Sequence, residues 1–145
     1  MPLPSLTGKV LKGTWRLGEL VGTGACADVY EVTGVSDGVG TQAGKFVAKI
    51  APLPADSPPQ SKKKHNEEKR NANMLFYERT LYQGYLRPLR DPGCVQIPDQ
   101  GYGEDQDLRY LVMTRLGPDV LAAKTESEPW PVSRTAGYAQ QMLQI

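Results

Sequence analysis

The sequence predicts an α+β domain, in which a five-stranded antiparallel sheet carries one packed helix. Two observations predict this fold class. Apolar and polar residues alternate over short segments separated by turn-forming residues, which is typical of antiparallel strands with one buried face. One longer segment instead spaces its apolar residues three and four apart, which is typical of an amphipathic helix.

The first three strands are predicted before the helix. Residues 15–22 and 28–34 alternate apolar and polar side chains, and the glycines between them favour a tight connection. Residues 34–44 are rich in Gly, Asp and Ser and predict a loop. Residues 45–50 then predict a third strand, which completes an antiparallel meander.

The segment 51–65 contains four prolines and a run of lysines. Proline is excluded from helix interiors and from central strands, so the segment is predicted to be a mobile connection. We interpret the lysine run Lys62–Lys64 as a solvated surface, and a docking or localisation patch is the alternative interpretation.

The predicted helix runs from about Asn66 to Leu86. At 100° per residue, one arc of this helix carries Met74, Leu75, Leu81, Tyr82, Tyr85 and Leu86. We expect this arc to face the sheet.

Two further strands are predicted at residues 95–103 and 108–113, joined by a polar turn at 104–107. Short helices are predicted up to about Lys124 and from about Pro131 to Ile145. The last segment has an apolar stripe without a helix-ending glycine, so we expect the sequence to be an amino-terminal piece of a larger protein.

Composition limits the partners and the compartment. The net charge of +1 argues against nucleic acid or an anionic membrane as the main partner, because neither would meet a strong field. No apolar run approaches the roughly 18 residues that span a bilayer, and no signal peptide is evident. Two cysteines, Cys26 and Cys94, suit a reducing setting, so we expect an intracellular protein of the cytoplasm or nucleus.

Two charged residues fall where apolar residues are expected. Glu78 lies near the centre of the apolar arc of the predicted helix, between Leu75 and Tyr82. Lys49 lies on the third strand, both faces of which are largely apolar. A charge facing a core needs an opposite charge, so Lys49 and Glu78 are predicted to pair. A slight rotation of the helix that brings Glu78 into solvent is the alternative.

The glycine turn, the lysine strand and the glutamate helix resemble, in this order, the amino-terminal lobe of a protein kinase. The glycine-loop pattern G-x-G-x-x-G-x-V of that family is matched by Gly22, Gly24, Ala27 and Val29, with alanine in place of the third glycine. Its strand-three lysine motif is matched by Phe46-Val47-Ala48-Lys49, and its helix glutamate by Glu78.

Further residues resemble the casein kinase I and vaccinia-related kinase group. The glycine loop continues as Asp28-Val29-Tyr30, and the helix contains Glu78-Arg-Thr-Leu-Tyr82. The last strand and its continuation, Arg109 to Val120, are also similar to that group. The resemblance covers about Trp15 to Ile145, which is nearly the whole sequence.

The resemblance implies an ATP site. Its expected residues are Val21, Gly22, Thr23, Gly24, Val29, Val47, Lys49, Met113, Thr114 and Leu116. The glycine loop would lie over the phosphates, and the two valines at 29 and 47 would cover adenine. Lys49 would contact the α- and β-phosphates, held by Glu78. Met113 would be the gatekeeper, with hinge hydrogen bonds from the Thr114 carbonyl and the Leu116 amide.

The resemblance also defines expected domains and an expected function. Residues 1–14 would be an extension, 15–117 the amino-terminal lobe and hinge with an insert at 51–65, and 118–145 the start of the second lobe. No His-Arg-Asp or Asp-Phe-Gly motif occurs in the sequence, so no catalytic residue or metal ligand is expected here.

The functional hypothesis is a fragment of a serine/threonine protein kinase. It would bind ATP, while phosphoryl transfer to a protein substrate, with Mg²⁺, would require the complete kinase. The alternative is a non-catalytic, pseudokinase-like binding or scaffold module. A dinucleotide-binding fold is excluded by the strand pattern that directly follows the glycines.

Overall fold

A computed structural model describes residues 5–35, 44–55, 61–86 and 95–116, together with residue 140. Within these residues the protein is an α+β structure with an antiparallel sheet and a helix packed on it, as predicted. The predicted number of strands is wrong, because the sheet has six strands rather than five.

The strands are β1 (Val10–Leu11), β2 (Trp15–Thr23), β3 (Asp28–Gly34), β4 (Phe46–Pro52), β5 (Tyr102–Asp105) and β6 (Leu108–Thr114). Their order in the sheet is β1-β2-β3-β4-β6-β5, and all neighbours are antiparallel. The helix α1 spans Lys62–Thr80 and continues directly into a π-helical segment, Leu81–Leu86.

The structure corrects several predicted boundaries in the first half of the chain. The additional strand β1 lies in the segment that we expected to precede the domain. The strand β4 continues through Ala51 and Pro52, which pair with β6, although the prolines predicted a mobile connection from residue 51. Helix α1 begins at Lys62 rather than near Asn66, because the Ser61 hydroxyl accepts a hydrogen bond from the Lys64 amide and caps its first turn.

Boundaries in the second half differ as well. Of the predicted strand 95–103, only Tyr102 and Gly103 belong to β5, which extends instead to Asp105. The turn that follows is therefore shorter than predicted, and Gln106 adopts a positive φ of 56° within it. The helices predicted in 118–145 lie outside the described residues, apart from the helical residue 140.

The sheet has a different apolar cluster on each face. The first contains Leu11, Trp15, Leu17, Tyr30, Val32, Ala48, Ile50, Leu108, Tyr110 and Val112. The second contains Val47, Ala51, Leu75, Leu111 and Met113. Since Leu75 belongs to α1, this helix covers the second face.

Hydrogen bonds connect the two edges of the sheet. The Trp15 indole N–H donates to the Gln100 carbonyl over 3.0 Å, and the Thr14 hydroxyl donates to Gln100 Oε1 over 3.0 Å. The Lys12 amide donates to the Asp105 carboxylate over 2.7 Å. The sheet therefore curls until β1 and β2 approach the start and end of β5, and the first cluster lies inside the curl.

The predicted apolar arc of the helix is only partly correct. Leu75 is buried, and Tyr82 packs against the second cluster. By contrast, Met74, Leu81 and Tyr85 are 47%, 48% and 73% exposed. Among the described residues, no helix is long and apolar enough to cross a membrane.

Candidate functional site

The two glycines of the predicted loop lie where β2 turns into β3. Gly22 is paired with Val29, and the Gly24 amide donates to the Ala27 carbonyl over 2.9 Å. The register between the strands shifts twice on the way to this turn, at Leu17–Leu20 and Leu20–Gly22. Irregular pairing of this kind bends a strand and is common beside functional sites. A strand follows the turn, as predicted.

The two glycines differ in how far their surroundings require the absence of a side chain. A Cβ on Gly24 would lie 3.1 Å from the Ala27 carbonyl oxygen, so the turn itself favours glycine there. A Cβ on Gly22 would have no atom within 4 Å among the described residues, and the φ of Gly22 is not positive. Within the described part of the chain, neither packing nor backbone conformation therefore requires glycine at position 22.

Lys49 and Glu78 meet, as the sequence predicted. The Lys49 Nζ lies 2.6 Å from Glu78 Oε1, and the two side chains are 29% and 22% exposed. Alternation along β4 places Lys49 on the face that α1 covers, together with Val47 and Ala51. Glu78 follows the buried Leu75 by three residues, so it reaches the same face from the helix.

Three other predicted residues lie on this face. Val29 pairs with Lys49 across β3 and β4, and Val47 pairs with Met113 across β4 and β6. Val47 and Met113 belong to the second cluster, and Val29 packs against it. The ion pair thus lies beside a continuous apolar surface that is formed by three neighbouring strands, within which Val47 and Met113 are only 8% and 3% exposed.

The remaining predicted residues are more exposed. Val21 is 47% exposed at the end of β2, beside the exposed Thr23. At the other side of the face, Thr114 ends β6 and its amide donates to the Gln96 carbonyl over 2.9 Å. Leu116 lies beyond the strand and is 61% exposed. These residues would form the rim of a site whose floor is the apolar surface.

An ion pair that the sequence did not predict joins β3 to the segment after β6. Arg115 Nη1 lies 2.9 Å from Glu31 Oε1, with 37% and 45% of the two side chains exposed. A Cβ on Gly18 would lie 3.1 Å from the Glu31 Cβ, so glycine on β2 gives Glu31 room to reach across. Glycine inside a strand was the available signal, because it marks close approach of a neighbour.

Tyr82 also lies near the Lys49–Glu78 pair. Burial raises the pKa of its phenol above the ordinary value of 10.0. The Glu78 carboxylate raises this pKa further, and the Lys49 ammonium offsets part of the increase. The tyrosine therefore keeps its proton at neutral pH and completes a polar group of three side chains beside the apolar surface.

Comparison of the sequence with known protein families gives no matching family model. Comparison with curated proteins gives no match either. Among the described residues, no three His, Cys, Asp or Glu side chains come together in a way that could hold a metal ion. The functional assignment therefore depends on the geometry of the site.

Proposed function

We propose that this chain carries the ATP-binding half of a protein kinase domain of the casein kinase I and vaccinia-related type. The α+β fold, with a glycine-containing hairpin at one end of an antiparallel sheet, supports this proposal. In this proposal the sheet is that of an amino-terminal kinase lobe, with β2 to β6 as its five strands and β1 as an addition.

The Lys49–Glu78 ion pair is the observation that carries the proposal. Partial burial of the Lys49 and Glu78 charges costs desolvation free energy. Apolar residues at the two positions would pack the helix on the sheet equally well without that cost. A lysine that is held in one position but still 29% exposed can donate to an anion that approaches from outside. The ion pair therefore favours a site for phosphate over a purely structural role.

The residues around the ion pair suit a nucleotide. Val29 is partly buried beside the ion pair and would give a flat base a dispersion contact, while the buried Val47 and Met113 would support it from beneath. The glycine turn would lie over the phosphates. The Thr114 carbonyl and the Leu116 amide follow the same surface and would bind the polar edge of adenine. When bound, ATP would supply the phosphoryl group that a complete kinase transfers to a protein hydroxyl.

Within this proposal, the chain contributes binding and orientation. Lys49 would hold the α- and β-phosphates, and Glu78 would fix the position of the Lys49 ammonium. The sequence contains neither of the motifs that orient the substrate hydroxyl and bind Mg²⁺ in kinases. Phosphorylation of a protein, and the need for Mg²⁺, are therefore assigned to the complete kinase.

Backbone NMR during titration with ATP tests the proposal. We expect a dissociation constant on the order of 1 mM, because one face of a sheet supplies all the contacts. Amide shifts should concentrate at Gly22, Gly24, Lys49 and Met113–Leu116. In a Lys49→Met variant, ATP should no longer cause the amide-shift changes that depend on its phosphates. Titration of the same variant with adenosine should still change the amide shifts of the residues that follow β6.

The matched control is Lys69→Met, which removes an exposed lysine of α1 that makes no contact with the ion pair. This variant should bind ATP like the wild type. Shifts scattered over the basic start of α1, or equal loss of binding in both lysine variants, would mean non-specific attraction of polyanions and would contradict the proposal.

A further inference from the structure

Helix α1 exposes more large apolar side chains than it buries. Its buried residues are Ala72 and Leu75 alone. The large apolar residues exposed on α1 and on the π-helical segment are Met74 (47%), Phe76 (44%), Tyr77 (62%), Leu81 (48%) and Tyr85 (73%). A surface helix normally shows the opposite pattern, so this exposed surface indicates a binding partner.

Four of these residues form a single stripe. Met74, Tyr77, Leu81 and Tyr85 follow one another at spacings of three, four and four residues. At 100° per residue, the midpoint of Met74 and Tyr77 lies about 160° around α1 from the midpoint of the buried Ala72 and Leu75. Leu81 and Tyr85 extend the stripe into the π-helical segment. Phe76 is on the other flank, where its ring contacts the Tyr102 ring.

The stripe continues toward the start of the helix with charged residues. Arg70, Glu67 and Lys63 precede Met74 at spacings of four, three and four, and all three are exposed. The surrounding segment 62–70 contains five cations, at 62, 63, 64, 69 and 70, and two carboxylates, at 67 and 68. The five cations lie on several sides of the helix, and on the stripe itself Lys63 and Arg70 flank Glu67. This side of the helix therefore has a half with two cations and one carboxylate, followed by an apolar half.

We propose that this outward stripe of the helix, residues 63, 67, 70, 74, 77, 81 and 85, docks an amphipathic helix of a partner protein. From Lys63 to Leu81 the spacings alternate between four and three, as in a coiled-coil seam, which favours a helix over an extended peptide. The last spacing, from Leu81 to Tyr85, is again four and lies in the π-helical segment. The α-helical part of the stripe, from Lys63 to Tyr77, is about 21 Å long at 1.5 Å per residue. Its basic half requires a partner with acidic residues beside an apolar stretch.

Charge argues against a second copy of this chain as the occupant. Parallel pairing would place Lys63 and Arg70 opposite themselves, which is repulsive. Antiparallel pairing centred on Met74 would place Glu67 opposite Leu81 and bury a carboxylate against an apolar side chain. A partner that is acidic at one end and apolar at the other avoids both costs.

Fluorescence anisotropy with labelled 24-residue helical peptides tests this inference on the full chain. Each peptide carries leucines at heptad positions in one half and glutamates in the other, in either order, to allow both orientations. We expect one of them to bind with a dissociation constant of about 10 µM. A peptide with lysine in place of every glutamate should bind at least about tenfold more weakly.

Variants of the stripe locate the binding surface. Leu81→Glu should weaken binding by about tenfold or more, whereas Val35→Glu, at an exposed apolar position just after β3, should leave it unchanged. Circular dichroism would establish that both variants fold. The double variant Lys63→Glu/Arg70→Glu should reverse the preference and bind the lysine peptide more tightly than the glutamate peptide.

Several results would overturn the inference. Absence of binding by both glutamate peptides would do so, as would equal binding of the lysine peptide to the wild-type chain. Sedimentation that shows a dimer lost in Leu81→Glu would assign the stripe to a second copy. Binding to vesicles of anionic lipid, with no binding to the peptides, would assign it to a membrane surface.

Discussion

The side chains of Lys49 and Glu78 meet 2.6 Å apart beside the sheet face that α1 covers. Glu78→Gln leaves the Lys49 ammonium partly desolvated without its counter-charge, so we expect the free energy of unfolding to fall by about 1–2 kcal/mol. Urea denaturation at neutral pH measures this change. The matched control is Glu31→Gln, which breaks the more exposed pair with Arg115 and should cost at most about 0.5 kcal/mol. Equal costs would mean that the Lys49–Glu78 pair is no better shielded than an ordinary surface pair.

The phenol of Tyr82 makes stability depend on pH in the alkaline range. Its pKa is raised in the folded protein, chiefly by burial and then by Glu78, so folding favours the protonated phenol. This contribution is fully present below the unfolded value of 10.0 and is lost as pH rises through the higher folded value. Stability of the wild type should therefore fall more steeply above pH 10 than that of Tyr82→Phe. Urea unfolding at intervals between pH 8 and 11.5 gives the two slopes, and parallel slopes would exclude Tyr82 as the cause.

The strands and the helix could be predicted wherever a single pattern of residues is enough to specify them. The alternation of apolar and polar residues predicted β3 with its observed limits. The same alternation predicted which residues of β4 share a face, and therefore on which face Lys49 lies. The two-residue strand β1 is too short to show a period, and its pairing with β2 is a tertiary contact. The start of α1 lies in a lysine run without apolar periodicity, where Ser61 was the remaining signal.

The candidate site was predictable to the same extent. The ion pair could be inferred, because a charge on each of two apolar faces needs a partner. The Glu31–Arg115 pair could not be inferred, since the two residues are 84 positions apart and exposed, where each could equally pair with another charge or with water.

The sequence also did not predict the outward stripe of the helix. Periodicity assigned Met74, Leu81 and Tyr85 to the buried arc, whereas the sheet offers contacts only on the side of Leu75 and Tyr82.

Gly101, which directly precedes β5, and Gly22, near the end of β2, should respond to alanine with stability losses of different size. A Cβ on Gly101 would lie 2.7 Å from the Pro98 carbonyl oxygen, so Gly101→Ala must move backbone and should cost about 2 kcal/mol. Gly22→Ala meets open space and should change stability by less than about 0.5 kcal/mol. Thermal unfolding of the two variants checks both values. If Gly22→Ala unfolded as readily as Gly101→Ala, the glycine turn would have a structural need that its surroundings do not reveal.

At the scale of the whole molecule, hydrogen bonds between the two edges of the sheet keep it curled. The first apolar cluster combines residues of β1 and β2 with residues of β6, which are far apart in the strand order. They come together because polar contacts around Gln100 and Asp105 join the two edges. The opposite face remains open to α1, which brings Glu78 to Lys49. The curl therefore determines which face is left to carry the candidate site.

The residue that links the curl to the core is Trp15, which is completely buried and donates its indole N–H to the Gln100 carbonyl. Trp15→Phe removes this hydrogen bond and leaves a cavity, so the free energy of unfolding should fall by about 2–3 kcal/mol. Thr14→Val, which removes a second bond to Gln100, should cost about 1 kcal/mol. Thr33→Val on β3 removes no hydrogen bond to Gln100 and leaves no cavity, so it should lower the free energy of unfolding by less than about 0.5 kcal/mol. Urea denaturation ranks the three variants, and an equal loss in Trp15→Phe and Thr33→Val would show that the edges of the sheet contribute nothing to holding its curl.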